Sequence, residues 1–119
     1  MGAESLGGLA AEAGRALGLL LLRGEGQAAE GSPRTLEVES ADREALLVDW
    51  LNEILFVAET ESWVPLEFEI REAFPTRLRA AVRGVSVNDP PSHVKAATFH
   101  GLRVTEGENG YEAEVIFDV

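Results

Sequence analysis

Hydrophobic and polar residues follow two different periods along this chain, one helical and one typical of strands. Between Ser5 and about Leu22 the hydrophobic residues recur every three or four positions, which predicts an amphipathic helix. Its apolar face is formed by Leu6, Leu9, Ala10, Ala13, Leu17 and Leu20. Gly14 and Gly18 each cost this helix roughly 1 kcal/mol relative to alanine, which indicates that another element packs closely against them.

A second helical pattern runs from Ala41 to about Ala58 and is the strongest periodic signal in the chain. Its hydrophobic residues are Leu47, Trp50, Leu51, Ile54, Leu55 and Ala58. Ser40 stands where a side chain can cap the first turn of this helix. We expect the helix to pack on a sheet, with Trp50 in the core.

The remaining segments alternate with a period of two. The stretches LEFEI, RLRAAVRGVSV, VKAATFHGLRV and YEAEVIFDV predict four strands, and TLEVES predicts a shorter one before the second helix. The dipeptide Asn109-Gly110 is a favoured hairpin turn between the last two strands, and the polar residues 23–33 predict a loop. This order predicts a single α+β domain over residues 1–119, with two helices packed on one face of a mostly antiparallel β-sheet.

The net charge of the chain limits the classes of partner that it can bind. The formal net charge is -11, from 21 acidic and 10 basic residues, which argues against direct nucleic-acid binding and favours a basic partner or a cation. An acidic surface that only maintains solubility is the alternative. The chain has no cysteine and no apolar run near the roughly 20 residues that span a bilayer, so we expect no membrane association and a cytoplasmic location.

Few residues carry recognisable chemistry. His93 lies in a proline-rich loop pattern, and neither it nor His100 has a partner at a fixed spacing that would make a general base. Gly101 predicts a bend or bulge that could orient the ring of His100. Lys95 is either an ordinary solvated residue or a contact for a partner. An independent enzyme that uses His100 is therefore the weakest hypothesis.

The chain ends on EVIFDV, so Asp118 and the terminal carboxylate of Val119 bring two hard oxygen anions together. Such ligands suit Mg²⁺, Mn²⁺ or Ca²⁺ rather than zinc. Many proteins end near an acidic residue without binding a metal, and calcium usually takes about six to eight oxygens. The two residues alone leave both alternatives open.

Three blocks taken together resemble the archease family: ADREALLVDWLNEILFVAETE, VKAATFHGLRV and YEAEVIFDV. SLGGLAAEAGRALGLLLL is similar to the family's first helix, so the resemblance covers nearly the whole chain. It implies a protein that is not itself an enzyme but activates an RtcB-class RNA ligase in tRNA splicing and RNA repair. The activation consists of promoting GMP transfer from GTP to the ligase and allowing multiple turnovers.

The same resemblance implies a divalent metal site at Asp118 and Val119, completed in the family by an aspartate of a first-strand motif His-Thr-Ala-Asp. None of Asp42, Asp49 and Asp89 stands in such a motif. We therefore expect the first strand to be missing and metal binding by the chain as written to be doubtful. A sequence that starts too late is the favoured explanation, and a diverged member that has lost the strand is the alternative. The alternative function is a diverged binding or scaffold module with an incomplete metal site.

Overall fold

The computed structural model describes residues 2–3, 5–22, 29–87, 96–107 and 110–118, with side chains described in 5–22 and 29–87. Within these ranges six strands and two helices follow one another. They are β1 (Gly2–Ala3), α1 (Leu6–Leu21), β2 (Glu30–Glu39), α2 (Arg43–Glu61), β3 (Trp63–Phe74), β4 (Arg77–Ser86), β5 (Ala96–Gly107) and β6 (Gly110–Asp118). The short strand β1 precedes the helix with which the sequence pattern began.

The strands form two three-stranded sheets, with the orders β1-β6-β5 and β2-β4-β3, and every described pair is antiparallel. The predicted α+β class with two helices and antiparallel strands is confirmed. The division into two sheets is a feature that alternation alone does not encode. We call β2-β4-β3 sheet B and β1-β6-β5 sheet A.

Helix α1 begins after Ser5, whose hydroxyl accepts a hydrogen bond from the Gly8 amide at 3.0 Å. This interaction satisfies one of the amide groups that a helix start leaves without a partner. The predicted apolar face is correct except at one position. Leu20 is 43% exposed, whereas Leu21 is buried, because the core-facing stripe of this helix continues from Leu17 to Leu21.

The glycines of α1 lie directly over strand β3, as the sequence predicted for Gly14 and Gly18. A methyl group added at Gly18 would stand 2.5 Å from the carbonyl oxygen of Pro65, and one at Gly14 would stand 2.7 Å from the ring of Phe68. Neither position has room for a side chain. The missing side chains therefore allow the helix backbone to approach the strand closely.

Helix α2 starts two residues later than predicted, and its cap is Asp42 rather than Ser40. The Asp42 carboxylate accepts from the Ala45 amide at 2.8 Å, whereas the Ser40 hydroxyl bonds the Asp49 side chain. The helix continues to Glu61, three residues beyond the expected end. It stops there because Ser62 adopts the left-handed conformation, with φ of 51°.

Trp50 is fully buried at the centre of the core, as expected from the sequence. Its indole Nε1 donates to the Ala10 carbonyl of α1 at 3.0 Å, and its ring meets that of Phe68 edge-on with centroids 5.9 Å apart. One side chain thus joins α2, α1 and β3. The other buried hydrophobic residues of the core include Leu9, Leu17, Leu51, Ile54, Val64, Leu78 and Val82.

Strand β2 begins at Glu30, so the prediction of a loop as far as Pro33 is wrong for its last four residues. Glu30 pairs with Gly84 and Arg34 pairs with Val82, which leaves three residues of β2 opposite one residue of β4. Gly31 in this bulge has φ of 79°. A bulged segment of exposed residues shows no alternation, which explains why its sequence resembles a loop.

Candidate functional site

Strands β5 and β6 form the predicted hairpin, but Gly110, which was expected in the turn, is the first residue of β6. Gly107 and Gly110 are register partners, so two residues join the strands, and Gly110 has φ of 116°. Residues 108–109 themselves lie outside the described ranges. Tight hairpins of this length commonly place glycine at positive φ. The hairpin fixes the direction and register in which β6 reaches its last residue.

Asp118 is the final residue of β6 and lies opposite Ala96 of β5. It therefore stands at the end of the sheet where β5 begins, on the central strand of sheet A. Val119, the second predicted ligand, lies outside the described residues. The structure thus gives a backbone position for one of the two predicted metal ligands.

His100 lies within an irregular part of β5, as Gly101 led us to expect. Thr98 pairs with Ile116 and Arg103 pairs with Glu114, so four residues of β5 face a single residue of β6. A bulge of this kind bends the strand and redirects side chains. The other two residues considered in the sequence, His93 and Lys95, lie outside the described part of the chain.

Strand β1 covers only the first part of β6. Gly2 pairs with Glu112 and Ala3 pairs with Tyr111, in antiparallel orientation. Ser5 then caps α1, so β1 is followed almost directly by the helix. The element that precedes α1 is therefore a neighbour of the strand that carries Asp118.

The two predicted metal ligands have the oxygen donors that a hard divalent ion prefers, but two ligands are too few to hold such an ion. Asp118 and the terminal carboxylate offer oxygen atoms, which Mg²⁺, Mn²⁺ and Ca²⁺ prefer. Across the described ranges, no group of three or more His, Asp or Glu residues could hold a metal ion. At least one more ligand is needed to complete a site at the end of β6.

The outer face of sheet B carries charges that neutralise one another. Arg77, Arg79 and Arg83 of the central strand alternate with buried Leu78, Ala80 and Val82, so they point away from the core. The flanking strands place glutamates beside them: Arg77 contacts Glu37 at 2.7 Å and Glu72 at 3.4 Å, and Arg83 contacts Glu67 at 3.7 Å. Such half-exposed pairs are each worth about 0–1 kcal/mol. This face is close to charge balance.

The outer side of α2 has the opposite character. Asp49, Phe56 and Glu59 are exposed and Glu53 is half-buried. These four residues recur at three- to four-residue spacing, and we call them the α2 stripe. No lysine or arginine occurs between Arg43 and Glu61, and no described cation pairs with Glu53 or Glu59. Phe56 is 60% exposed, although the nine buried residues of this helix are all hydrophobic.

Phe56 is not among the functional residues predicted from the sequence. The signal was present, since Phe56 falls outside the stripe of hydrophobic residues that predicts the buried face of α2. A large aromatic residue on the polar side of an amphipathic helix is informative because it gains nothing from burial there. Periodicity can thus identify surface aromatic residues as well as core positions.

A polar cavity of about 350 Å³ opens beside the β2 bulge. Its lining includes Glu30, Ser32, Arg34, Trp63 and Ser86. The guanidinium of Arg34 stacks on Trp63 at 4.2 Å from the ring centroid and also pairs with Glu61. The stack therefore joins β2 to the start of β3, and the ion pair with Glu61 joins β2 to the end of α2.

No helix in the described ranges is long and apolar enough to cross a membrane.

Comparisons with known proteins agree on one family. The model of the Archease protein family matches residues 1–119. Among curated relatives, a protein archease of Methanosarcina acetivorans is 28% identical over 102 residues, covering 79% of this chain and 70% of that protein. A protein archease of Methanosarcina barkeri is 32% identical over 94 residues, covering 72% of this chain and 64% of that protein. The matches thus span about two thirds of these relatives' lengths.

Among solved structures, the fold is similar to the crystal structure of an archease, described as a possible chaperone, from Thermotoga maritima. The TM-score is 0.69, and the superposition covers 100% of this chain and 87% of that one at 21% sequence identity. At that identity the likeness establishes the arrangement of helices and sheets alone.

Proposed function

The chain belongs to the archease family, and we propose that it activates an RtcB-class RNA ligase in tRNA splicing and RNA repair. In this proposal the protein is not an enzyme. It promotes GMP transfer from GTP to the active-site histidine of the ligase and allows repeated turnover, in the cytoplasm. The observation that carries the proposal is the family match over residues 1–119.

The charge of the protein supports a role that acts through another protein. The net charge of -11 disfavours direct contact with RNA phosphates. An acidic protein is instead suited to a partner whose surface carries the lysines and arginines that bind RNA. The archease of Thermotoga maritima that shares this fold is described as a possible chaperone.

A divalent ion, Ca²⁺, Mg²⁺ or Mn²⁺, belongs to the proposal, with Asp118 and the terminal carboxylate of Val119 as its ligands. The ion would supply positive charge that offsets the phosphate groups handled by the ligase. Asp118 would hold it at the end of the sheet, where the hairpin limits the movement of β6.

The register of β1 suggests where a further ligand would come from. Paired residue numbers of β1 and β6 add to 114 in both pairs, so Asp118 faces the fifth position upstream of Met1. If a longer version keeps this register, an aspartate near that position would lie beside Asp118. We propose that such an upstream strand, with the motif His-Thr-Ala-Asp, completes both the domain and the metal site.

A guanylylation assay tests the function. The ligase is incubated with labelled GTP and a divalent ion, with and without this protein, in the present form and in a form that carries the upstream strand. We expect the extended form to accelerate labelling of the ligase and Asp118→Ala to abolish the acceleration. No stimulation by the extended form would refute the activator role and favour a binding or scaffold module with the same fold.

Metal binding has its own test. Adding one glycine after Val119 displaces the terminal carboxylate from its position beside Asp118. We expect the extended form that carries this addition to bind Mn²⁺ about tenfold or more weakly, as measured by calorimetry, because a coordinating oxygen is lost. Unchanged affinity would show that the terminus is only the end of a strand.

A further inference from the structure

Phe56 is the most exposed large hydrophobic residue among those whose side chains the structure describes, at 60%. It lies in the last third of α2 and carries carboxylates three residues away on both sides, at Glu53 and Glu59. Single exposed hydrophobic residues are common on protein surfaces. What distinguishes this one is its position in an acidic stripe, in which neither Glu53 nor Glu59 forms an ion pair with any cation whose side chain the structure describes.

The fold gives no reason for this arrangement. The core is formed by the opposite side of α2, where Trp50, Leu51 and Ile54 are fully buried. Phenylalanine also has a lower helix propensity than glutamate or lysine, which are common on exposed helix faces. An exposed aromatic ring surrounded by polar groups is, however, typical of an interface anchor, because burial in a partner's pocket excludes water from the contact.

The charge of the stripe limits what can bind there. Asp49, Glu53 and Glu59 repel phosphate, so RNA and anionic lipid are disfavoured. A second copy of this chain would bring its own net charge of -11, which opposes self-association. The remaining partner chemistry is a protein surface that combines lysine or arginine side chains with an apolar pocket.

We propose that the α2 stripe is the surface by which this protein docks on its basic partner. Phe56 inserts into an apolar pocket of the partner, and Asp49, Glu53 and Glu59 face its basic side chains. The proposal rests on the proposed function in one respect, since the partner is taken to be the RNA ligase. The stripe lies on α2 and Asp118 lies on β6, so each can be substituted without changing the other.

Direct binding to the purified ligase tests the proposal, and the chain offers a matched control for each change. Phe74, at the end of β3, is 57% exposed and differs from Phe56 by only three percentage points. We expect Phe56→Ala to weaken binding about tenfold or more and Phe74→Ala to change it less than about twofold. Equal thermal melting of both variants checks that they fold.

The charges are tested in the same way. The pair Glu53→Gln with Glu59→Gln should slow association about two- to fivefold and reduce its dependence on salt, because these carboxylates attract the partner before contact. The pair Glu39→Gln with Glu69→Gln makes the same change in net charge on sheet B and should have less effect. Equal slowing by both pairs would show that net charge alone is responsible and would overturn the role of the stripe.

Three further outcomes are decisive. Binding by Phe56→Ala as tight as that of the unmodified protein overturns the α2 stripe but leaves the activator function intact. No binding of the ligase by the unmodified protein refutes the proposed function and this inference together. Self-association that depends on Phe56 in concentration-dependent chromatography would identify a second copy as the occupant and overturn a basic partner.

Discussion

Helices α1 and α2 reach the same core by opposite means. Helix α1 brings its backbone against β3 through Gly7, Gly14 and Gly18, whose missing side chains leave no gap. Helix α2 instead contributes large side chains, with Trp50 and Ile54 both fully buried. A protein core is packed as closely as an organic crystal. Here α1 achieves this packing by bringing its backbone close to β3, and α2 achieves it with large side chains.

The difference predicts how each helix fails. On α2 a substitution that removes atoms leaves a cavity, and on α1 a substitution that adds atoms causes a clash. The two helices are joined by the hydrogen bond from Trp50 to Ala10. A substitution that disturbs the packing of one helix is therefore expected to affect the other helix as well. The loss of stability depends on which atoms the substituted side chain contacts.

The largest effect is expected at Trp50. Trp50→Ala removes the indole from the core and leaves the Ala10 carbonyl without its donor, so the free energy of unfolding should fall by about 3–5 kcal/mol. Urea unfolding measures this change. Trp50→Phe, which keeps an aromatic ring but loses the N–H group, should cost less. A loss of under about 1 kcal/mol for Trp50→Ala would contradict a core centred on this side chain.

The glycines of α1 should follow an order set by what each added methyl group meets. Gly18→Ala meets the Pro65 carbonyl oxygen, which cannot move independently of β3, and should lower stability by about 1–3 kcal/mol despite a gain of about 1 kcal/mol in helix propensity. Gly14→Ala should cost less because the Phe68 ring can shift. Gly7→Ala meets only side-chain atoms at 3.1 Å and 3.2 Å and should be nearly neutral.

Exposed Ala16 supplies the control for this series. Ala16→Gly changes helix propensity without touching β3, and it should cost about 1 kcal/mol. Thermal or urea unfolding of the four variants gives the order directly. If Gly18→Ala were as stable as or more stable than the unmodified protein, the close approach of α1 to β3 would be wrong.

The smallest effect is expected at the start of α2. Asp42→Ala removes the side-chain acceptor for the Ala45 amide and should lower stability by about 1 kcal/mol. Ser40→Ala removes only an exposed hydrogen bond to Asp49 and should cost less. A larger loss at Ser40 than at Asp42 would restore the cap expected from the sequence.

Much of the fold could be predicted from the chain because its periodicities are strong. The burial of Leu51, Ile54 and Val82 follows from helical and strand periods, and Gly110 indicates the hairpin. The cap of α2 was misassigned because Ser40 and Asp42 are both good capping residues and only the final backbone geometry distinguishes them. The start of β2 was missed because a bulge interrupts its alternation.

The residues of the candidate site could be predicted from the sequence, but their positions in the sheet could not. Asp118 came from a family resemblance as well as from its carboxylate, and the structure adds that it lies opposite Ala96 at the end of a central strand. The bulge around His100 was expected from Gly101. The α2 stripe was not expected, because the helical period was used only to find the buried face of α2 and not the residues on its opposite side.

The sequence by itself determined the helices, most strand positions, the acidic charge and the family, since these depend on residue type and local spacing. Only the tertiary structure decided how the strands divide into two sheets, which carbonyl opposes Gly18, and that β1 runs beside the strand that carries Asp118. The physical reason is how far apart in the chain the interacting residues lie. Periods and caps act over a few residues, whereas register and close packing join residues far apart in the chain and depend on the whole core.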